Sequence, residues 1–411
     1  MTTTTATTGQ PVPTLEFDHH SPRVSNHRDQ VLAEVRDHPI FWTESHGGYW
    51  VVTSHELTKR VLRDPSVFSS QKTEAMTGGV TIPTVIGPRL IPAEVDPPYH
   101  RVLRRILTPK FHRTAIERIR PTLESFIVGV IDHVIDKGTF DVVHDIADQI
   151  PAGSMVMYLG FPEHERVPFI RSVQAALDVM PYASDPEFAN SPKMQEGLAA
   201  FGHAVSVINT LIAQRRAEAA DDIVSHLVSP EFELTDEEVL WVTFTLLVGG
   251  AENPAAMIGN SLLYLAQDTE LRSRLAADQS LIPAACEELL RQTSSAVSLA
   301  RNVLADVELG GMTLRAGDRV LLWLPAANRD PRAFDNPEQV DIDRPTCPHV
   351  AFGDGPHVCI GAPLFRVWFQ IMLREVLSRM PNYSVDLSAA QRFDDSATMW
   401  GWRSMPARTN A

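Results

Sequence analysis

The sequence predicts a mainly α-helical protein with small β-sheets, folded as a single large domain. Apolar residues recur with helical spacing over most of the stretch from Pro97 to Gln267. Short strand-like runs occur at 49–53 and at 298–323, the latter around a turn at Gly310 and Gly311. No repeat of fixed period and no Gly/Ser-rich linker divides the 411 residues. The chain is long enough to form a core that encloses a cofactor.

Composition and charge narrow the classes of partner and compartment. The formal net charge of −15 disfavours a nucleic-acid partner, because phosphate binding needs a surplus of Lys and Arg. Three cysteines are too few for a disulfide framework, which favours a reducing, cytoplasmic setting. No run approaches the roughly 20 apolar residues of a membrane span, so no membrane partner is expected. We interpret residues 1–20 as a disordered, Thr-rich tail and residues 21–411 as the domain.

Local signals define several elements in chain order. The run 49–53 (YWVVT) predicts a strand, and Ser54 is placed to cap a helix that ends near Leu62. The Gly-, Pro- and Thr-rich segment 68–95 predicts a long loop. A capping-box pattern, Thr235-Asp-Glu-Glu238, predicts the start of a long helix that continues to about Gln267.

The segment 349–361 (HVAFGDGPHVCIG) surrounds Cys359 with glycines and precedes a helix from about 362 to 380. Backbone N–H groups of a Gly-rich turn and the positive end of a helix both stabilise a thiolate. Because the thiolate is the form of cysteine that binds metals, the pattern makes Cys359 a candidate metal ligand.

Three alternatives for this segment remain open on residue grounds. A dinucleotide-binding loop lacks its third glycine, because Val358 stands there. A structural zinc site could draw on Cys347, His349, His357 and Cys359, although one residue separates each pair where zinc sites usually have two or more. The third alternative is a buried, unreactive cysteine, which is the interpretation we assign to Cys286 and Cys347.

The spacing Phe352-Gly-x-Gly-x-His-x-Cys-x-Gly361 resembles the haem-binding signature of the cytochrome P450 family. The resemblance implies a cytochrome P450 fold around a buried haem b, with Cys359 as the axial ligand of the iron. It also implies that Phe352 packs beside the sulfur, that Gly353 and Gly361 shape the loop, and that His357 reaches a haem propionate.

Two further motifs occur in the order that the resemblance requires. Glu288 and Arg291 lie three residues apart on one predicted helix face and can pair. The resemblance implies that Arg344, which follows Asp341-Ile-Asp in a Pro-rich stretch, joins them in a structural triad. The alternative for the pair alone is a solvated salt bridge.

A third motif lies upstream, in Asp96-Pro-Pro-x-His100-x-x-x-Arg104. Its last two residues are one helical turn apart and present donor groups on one side. The resemblance implies that His100, Arg104 and Arg301 contact haem propionates, whereas the alternative is ordinary surface charge.

The middle of the long helix carries residues that disfavour helix. Glycine costs about 1 kcal/mol and proline about 3 kcal/mol relative to alanine, and the stretch 249–254 (GGAENP) holds two glycines and Pro254. Pro254 cannot donate to the carbonyl of Gly250, so a flat cofactor and dioxygen can approach there. A packing kink is the alternative.

The resemblance implies that an acid and an alcohol in this stretch relay protons, yet this sequence has Glu252 followed by Asn253. An amide can hydrogen-bond dioxygen or water but cannot relay a proton as a hydroxyl does. We predict that Gly250, Glu252 and Asn253 are catalytic, with Asn253 positioning dioxygen and Glu252 supplying protons.

The implied activity is insertion of one oxygen atom from O₂ into a C–H bond, by hydroxylation or O-dealkylation. The chain has no flavin or nicotinamide fingerprint and no spare cysteines for an iron–sulfur cluster. A separate ferredoxin or flavodoxin and its reductase, drawing on NAD(P)H, are therefore expected, and a monomer is the default for the family. Five cations are candidates for a docking patch: Arg101, Arg105, Lys110, Arg113 and Arg366.

Two other functions are kept as alternatives: a peroxygenase driven by hydrogen peroxide, and a haem-based sensor that binds a ligand without turnover. The expected substrate is small to medium and apolar, because the predicted pocket residues are mainly hydrophobic. These pocket residues are Val80, Ile82, Val85, Leu246, Leu247, Val297 and Trp400.

Overall fold

The computed structural model describes residues 12–179, 188, 190–393, 395 and 398–409. Its α-helices are α1 Pro22–Asn26, α2 Arg28–Val35, α3 His55–Arg63, α4 Tyr99–Phe111, α5 Arg113–Lys137, α6 Gln149–Leu159, α7 Glu163–Val179, α8 Pro192–Ala217, α9 Ile223–Leu227, α10 Asp236–Gln267, α11 Thr269–Ala277, α12 Ile282–Thr293, α13 Leu324–Ala327 and α14 Ala362–Arg379. The predicted mainly α architecture is confirmed.

The strands are short and lie in small sheets. They are β1 Ile40–Thr43, β2 Tyr49–Val52, β3 Phe68–Ser69, β4 Thr139–Asp141, β5 Ser298–Val303, β6 Val307–Leu309, β7 Met312–Leu314, β8 Arg319–Trp323, β9 Ser384–Val385, β10 Gln391–Arg392, β11 Trp402–Ser404 and β12 Pro406–Arg408. The largest sheet has the order β1-β2-β8-β5-β3, in which β2 and β8 run parallel. The remaining strands form a three-stranded sheet, β4-β12-β9, and two hairpin-like pairs, β6-β7 and β10-β11.

The capping signals read from the sequence are present. Ser54 accepts a hydrogen bond from the Leu57 N–H at the start of α3. Thr235 and Glu238 form a complete capping box, so that α10 begins at Asp236 and continues for 32 residues. This central helix packs against α6, α8 and α12, and its apolar residues belong to the largest core cluster.

The predicted tail is shorter than expected. Residues 1–11 lie outside the described residues, but the segment from residue 12 to 20 packs on the large sheet. The Trp42 N–H donates to the Pro13 carbonyl at 2.8 Å, and the Leu15 N–H donates to the Trp42 carbonyl at 3.0 Å. The Phe17 ring is buried against Phe41 and Trp323. The Thr-rich composition of the first residues predicts disorder, and a single buried aromatic ring produces no periodic pattern that would predict otherwise.

The loop between β3 and α4 is held from beneath by buried cations. Lys72 pairs with Glu94 at 2.9 Å, and its ammonium also donates to the Pro88 carbonyl at 2.9 Å. Arg319 donates to the carbonyls of Gly79 and Thr81 at 3.0 and 2.8 Å. These bonds fix the course of a loop that has little regular structure.

Within the described residues, α8 is the one helix whose length and apolar composition would allow it to cross a membrane. In its most apolar stretch, 28% of the residues are buried. Core helices of water-soluble proteins have the same length and composition, so this observation is weak evidence.

Candidate active site

The cysteine loop packs directly on the end of α3. Gly355 has a φ of +68°, and a side chain there would place its Cβ 2.5 Å from the Leu62 carbonyl oxygen. Asp354 closes the turn by accepting a hydrogen bond from the Gly355 N–H at 2.6 Å, and it pairs with Arg63 at 3.0 Å. Only glycine combines this backbone conformation with this close approach.

Cys359 lies between this turn and the first residue of α14. Its N–H donates to the Phe352 carbonyl at 2.8 Å. Burial raises the pKa of the thiol, whereas N–H groups of Gly361 and Ala362 and the charge of Arg104 act to lower it. The side chain nevertheless has free surface. A sulfur that is remote from bulk solvent but borders an internal space explains both its raised pKa and its free surface. Such a space has room for a metal-bound group.

Phe352 carries two contacts besides its bond to the cysteine. Its ring meets the Phe365 ring edge-on at 5.8 Å, and the Arg366 guanidinium lies 4.8 Å from its centroid. Arg366 is in turn held by Glu287 at 2.7 Å. The structure therefore places Phe352 beside the cysteine, as the motif predicts, and adds a Glu287–Arg366 pair that no sequence spacing indicated.

Four donor-bearing side chains assemble near Cys359. The rings of His100 and His357 are 3.9 Å apart between centroids. Burial, together with the nearby charges of Arg301, His100 and Arg104, lowers the pKa of His357 to about 3. Burial and then Arg104 lower the pKa of His100 to about 4. The four residues, which the sequence spreads over 258 positions from 100 to 357, form one cluster with a surplus of positive potential.

This cluster lacks anionic partners in the described part of the chain. Asp96 is the one carboxylate that acts on Arg301, and its oxygens already bind Ser69 and Ser70. Nδ1 of His100 and Nε2 of His357 are buried without a hydrogen-bond partner. Buried polar atoms are normally paired, so the cluster is suited to an anionic group such as a pair of carboxylates.

The predicted triad is assembled. Glu288 receives hydrogen bonds from Nε and Nη2 of Arg291 at 2.9 Å each, and from Nε of Arg344 at 3.0 Å. Burial opposes ionisation of Glu288, but the bonds from Arg291 and from the Asp341 N–H hold its pKa down at about 2. Cys347 also donates to Glu288, at 3.0 Å. The triad ties α12 to the segment that leads into the cysteine loop.

The zinc alternative does not fit the described residues. Cys347 is bonded to Glu288, His349 to Glu287 at 3.2 Å, and His357 stacks on His100. No group of three or more His, Cys, Asp or Glu side chains suited to a metal ion occurs among the described residues. Burial raises the pKa of Cys286 and of Cys347, so both thiols stay protonated, which agrees with the unreactive role assigned to them.

The two glycines of α10 face different surroundings, which corrects the catalytic assignment of Gly250. A Cβ on Gly250 would lie 2.4 Å from Cγ of Met155, so this glycine allows α6 to pack closely. A Cβ on Gly249 would meet nothing within 4 Å. Gly249 and Asn253 are four residues apart and share one face. Gly249 is therefore the glycine that leaves open space beside the helix. Its spacing of four residues from Asn253 is the sequence signal that could have identified it.

Glu252 lines a cavity of about 360 Å³ between α6, α7 and α10. Cys359 does not line this cavity. His144 and Asp148 stand at its rim, 3.4 Å apart, and the π-helical turn Val142–Ala147 positions the histidine. On the neighbouring face of α10, Oδ1 of Asn253 is buried without a hydrogen-bond partner. Helix α10 thus places the Glu252 side chain at the side cavity and the Asn253 amide, with its unpaired oxygen, on a neighbouring face.

The predicted substrate residues do not all share one space. Val80 and Val85 are half-buried on the loop, and Leu246 is buried in α10. Ile82 and Val297 pack in the core beneath the large sheet. Leu247 and Trp400 border two different cavities, and the substrate role of both stays a prediction. Leu247 lines the cavity of Glu252, and Trp400 lines a polar cavity between α2, α10 and α12, where arginines flank its ring.

The observed residues fit a haem group. Cys359 offers a sulfur to an internal space, the His/Arg cluster offers unpaired donors for two carboxylates, and Gly249 leaves room beside Asn253. A mainly α fold with these features defines a haem-thiolate protein.

Comparison with known proteins agrees with this class. The family model described as Cytochrome P450 matches residues 25–399. Nocardicin C N-oxygenase of Nocardia uniformis is 33% identical over 342 residues, 81% of this chain and 82% of that protein. Cytochrome P450 monooxygenase PikC of Streptomyces venezuelae is 31% identical over 349 residues, 83% of this chain and 80% of that protein.

Solved structures give the same result. The crystal structure of CYP109E1 from Bacillus megaterium in complex with testosterone has a TM-score of 0.83 at 26% identity, covering 95% of this chain and 100% of the other. The chain belongs to the cytochrome P450 family. It is a haem monooxygenase, an oxidoreductase whose family uses haem b.

Proposed function

We propose that this enzyme inserts one atom of O₂ into a C–H bond of a small to medium apolar molecule, by hydroxylation or O-dealkylation. The observation that carries the proposal is the position of Cys359 next to the cluster of His100, Arg104, Arg301 and His357. In this proposal Cys359 ligates the iron and the cluster binds the propionates. Haem bound there supplies the iron that activates dioxygen.

The difference absorption spectrum of the reduced protein with and without carbon monoxide tests the axial ligand. We expect a Soret band at the position typical of thiolate ligation, and we expect Cys359→Ser to lose it. Cys286→Ala is the matched control, since it removes a thiol from the core without touching the loop. A histidine-like band in the wild type, or a thiolate band that survives in Cys359→Ser, would overturn the assignment.

In the proposed proton supply, Glu252 takes protons from the cavity at whose rim His144 and Asp148 lie. Hydrogen bonding with Asp148 is the largest of the effects that raise the pKa of His144, which favours the protonated form of this histidine. Asn253 positions dioxygen and water through its amide, because it has no hydroxyl to pass a proton.

Variants separate these two roles. Glu252→Gln is expected to slow turnover and enlarge its solvent isotope effect, because proton supply becomes limiting. Asn253→Ala is expected to lower the fraction of reductant that ends in product, with more peroxide released. Unchanged coupling in Asn253→Ala would contradict its positioning role.

The proposed electron source is a ferredoxin or flavodoxin with a reductase that oxidises NAD(P)H, acting on a cytoplasmic monomer. Of the five candidate docking cations, Arg366 is held by Glu287 and Lys110 lies 3.7 Å from Asp221. The other three, Arg101, Arg105 and Arg113, are exposed. Their replacement by glutamine is expected to weaken reduction by an acidic ferredoxin most strongly at low salt.

The apolar substrate class is supported by the hydrophobic residues of the loop and of α10, and by the relative that binds testosterone. A screen of apolar compounds for spin-state changes in the Soret region tests it. The peroxygenase alternative is favoured by the amide at Asn253 and disfavoured by the acid at Glu252. Product formation with hydrogen peroxide, but not with O₂ and a reductase system, would select that alternative.

A further inference from the structure

A second cavity, of about 660 Å³, lies on the far side of the strand segment that carries Trp400. It is bounded by the start of α2, the second half of α10, the end of α12 and the β10-β11 pair. Its lining includes Arg28, Asp29, Asn260, Gln292, Arg329 and Arg392. Cys359 and the propionate-binding cluster do not line it, so the cavity is separate from the haem site.

Three guanidinium groups meet at this cavity. Arg28 and Arg329 are 4% and 7% exposed. Arg28 donates to the Thr293 carbonyl at 2.8 Å, and Arg329 donates to the Gln292 carbonyl at 2.8 Å. Burial lowers the pKa of Arg28, and the charges of Arg329 and Arg392 lower it further. The three cations therefore repel one another across the cavity.

The negative charge at the cavity is smaller than the positive charge. Among the described residues that line it, Asp29 is the one carboxylate, and its side chain is 83% exposed at the mouth. It pairs with Arg329 at 2.7 Å, and the charges of Arg28 and Arg392 also act on it. Glu338 lies outside the lining, 3.7 Å from Arg329, and it is also paired with Arg36, so it adds no net negative charge. The three arginines and one aspartate of the described lining leave a charge of about +2, taking each group in its usual ionised state.

Stacking accounts for the positions of Arg28 and Arg392 but not for their charge. The Arg28 guanidinium lies 3.6 Å from the centroid of the Trp400 ring, and Arg392 lies 4.0 Å from that of Trp402. Within the described residues, the Arg392 guanidinium has no hydrogen bond or ion pair, and its Nη1 is buried without a partner. Nε of Arg28 and Nε of Arg329 are likewise unpaired. Neutral side chains could also stack on the tryptophan rings, and they would avoid the repulsion between guanidinium groups.

We propose that this cavity binds a small dianionic oxyanion, either a dicarboxylate or a phosphate monoester. Two negative charges match the surplus, and the planar guanidinium fork suits carboxylate and phosphate oxygens. The NH₂ groups of Asn260 and Gln292 already donate to the Trp400 and Glu338 carbonyls, so the donors for an anion are the guanidinium groups. The backbone N–H of Trp400 donates to the Ser295 carbonyl at 2.8 Å, which links the lining to the segment 295–297 that precedes β5.

Isothermal titration calorimetry of the haem-loaded enzyme tests the proposal, with succinate and methyl phosphate as probes at an ionic strength matched with NaCl. Saturable binding of one or both is expected in the wild type, and the probe that binds identifies the preferred anion. Arg392→Gln is expected to weaken binding about tenfold, the effect of losing one charge-assisted bond. Arg408→Gln, an exposed change of equal charge away from the lining, is the control and should bind as the wild type does.

Asp29→Asn provides a test of opposite sign that does not depend on how Arg392→Gln folds. Asp29 is exposed, so the variant should retain its fold, and the loss of its charge is expected to tighten binding several-fold. The absence of saturable binding in the wild type would overturn the proposal. So would an affinity in Arg392→Gln equal to that in Arg408→Gln, or an affinity in Asp29→Asn that is unchanged or weaker.

Discussion

The buried carboxylate Glu288 makes the most direct energetic prediction. It is 2% exposed, Arg291 is fully buried, and three donors from Arg291 and Arg344 converge on its two oxygens. Glu288→Gln removes the charge and turns an NH₂ group toward those donors. Breaking a buried ion pair on one side costs about 3–5 kcal/mol, because the remaining charge is left uncompensated. That is a large part of the roughly 5–15 kcal/mol that stabilises a domain.

Urea unfolding at pH 7, followed by tryptophan fluorescence, measures this loss. The matched control is Asp343→Asn, which breaks a bidentate pair with Arg274 at the exposed surface. The control is expected to lose less than about 1 kcal/mol. Equal losses of unfolding free energy in Glu288→Gln and Asp343→Asn would refute the argument that burial of the ion pair determines the size of the loss.

The same carboxylate predicts a pH dependence. The pKa of Glu288 is held at about 2, below its ordinary value of 4.5, so its contribution is fully present above pH 4.5. The contribution is lost as the pH falls toward 2, because the unfolded chain then binds a proton that the folded protein does not. Between pH 5 and pH 3 the wild type should lose about 2 kcal/mol more than Glu288→Gln. Parallel losses would contradict the assignment.

The central helix and the loop before α4 allow two further tests. Gly249→Ala should stabilise α10 by about 0.5–1 kcal/mol yet weaken carbon monoxide binding at the haem, since its methyl enters open space. Gly250→Ala should leave carbon monoxide binding unchanged and lower the free energy of unfolding by about 1–3 kcal/mol, because Met155 must move. Weaker carbon monoxide binding in Gly250→Ala but not in Gly249→Ala would contradict this assignment. Lys72→Met should cost about 3–5 kcal/mol in urea unfolding, because it leaves Glu94 buried and unpaired. The double variant Lys72→Met, Glu94→Gln should recover part of that loss, and a double variant no more stable than the single one would argue against the pair.

Much of the candidate site follows from the sequence alone, because its signals are local. Gly353 and Gly355 are required by local backbone conformations, with φ of +69° and +68°, although the close contact of Gly355 with Leu62 is tertiary. The capping box at Thr235 and Glu238 is likewise a bond between residues three apart. Such features depend on hydrogen bonds and torsion angles that the chain satisfies wherever the segment lies, so a pattern of spacing is enough to predict them.

Other features depend on which distant segments meet. Only packing decides that Gly250 faces Met155 while Gly249 faces open space, since both glycines read alike in the sequence.

The approach of Arg28 and Arg392 to Trp400 and Trp402 also joins residues from 28 to 402, and no periodicity encodes it. The sequence by itself determined the class of fold and the turn geometry of the cysteine loop, because helix periodicity and glycine torsion angles are local. The tertiary structure decided the side cavity of Glu252 and the arginine cavity, because long-range burial and charge exist only once the chain has folded.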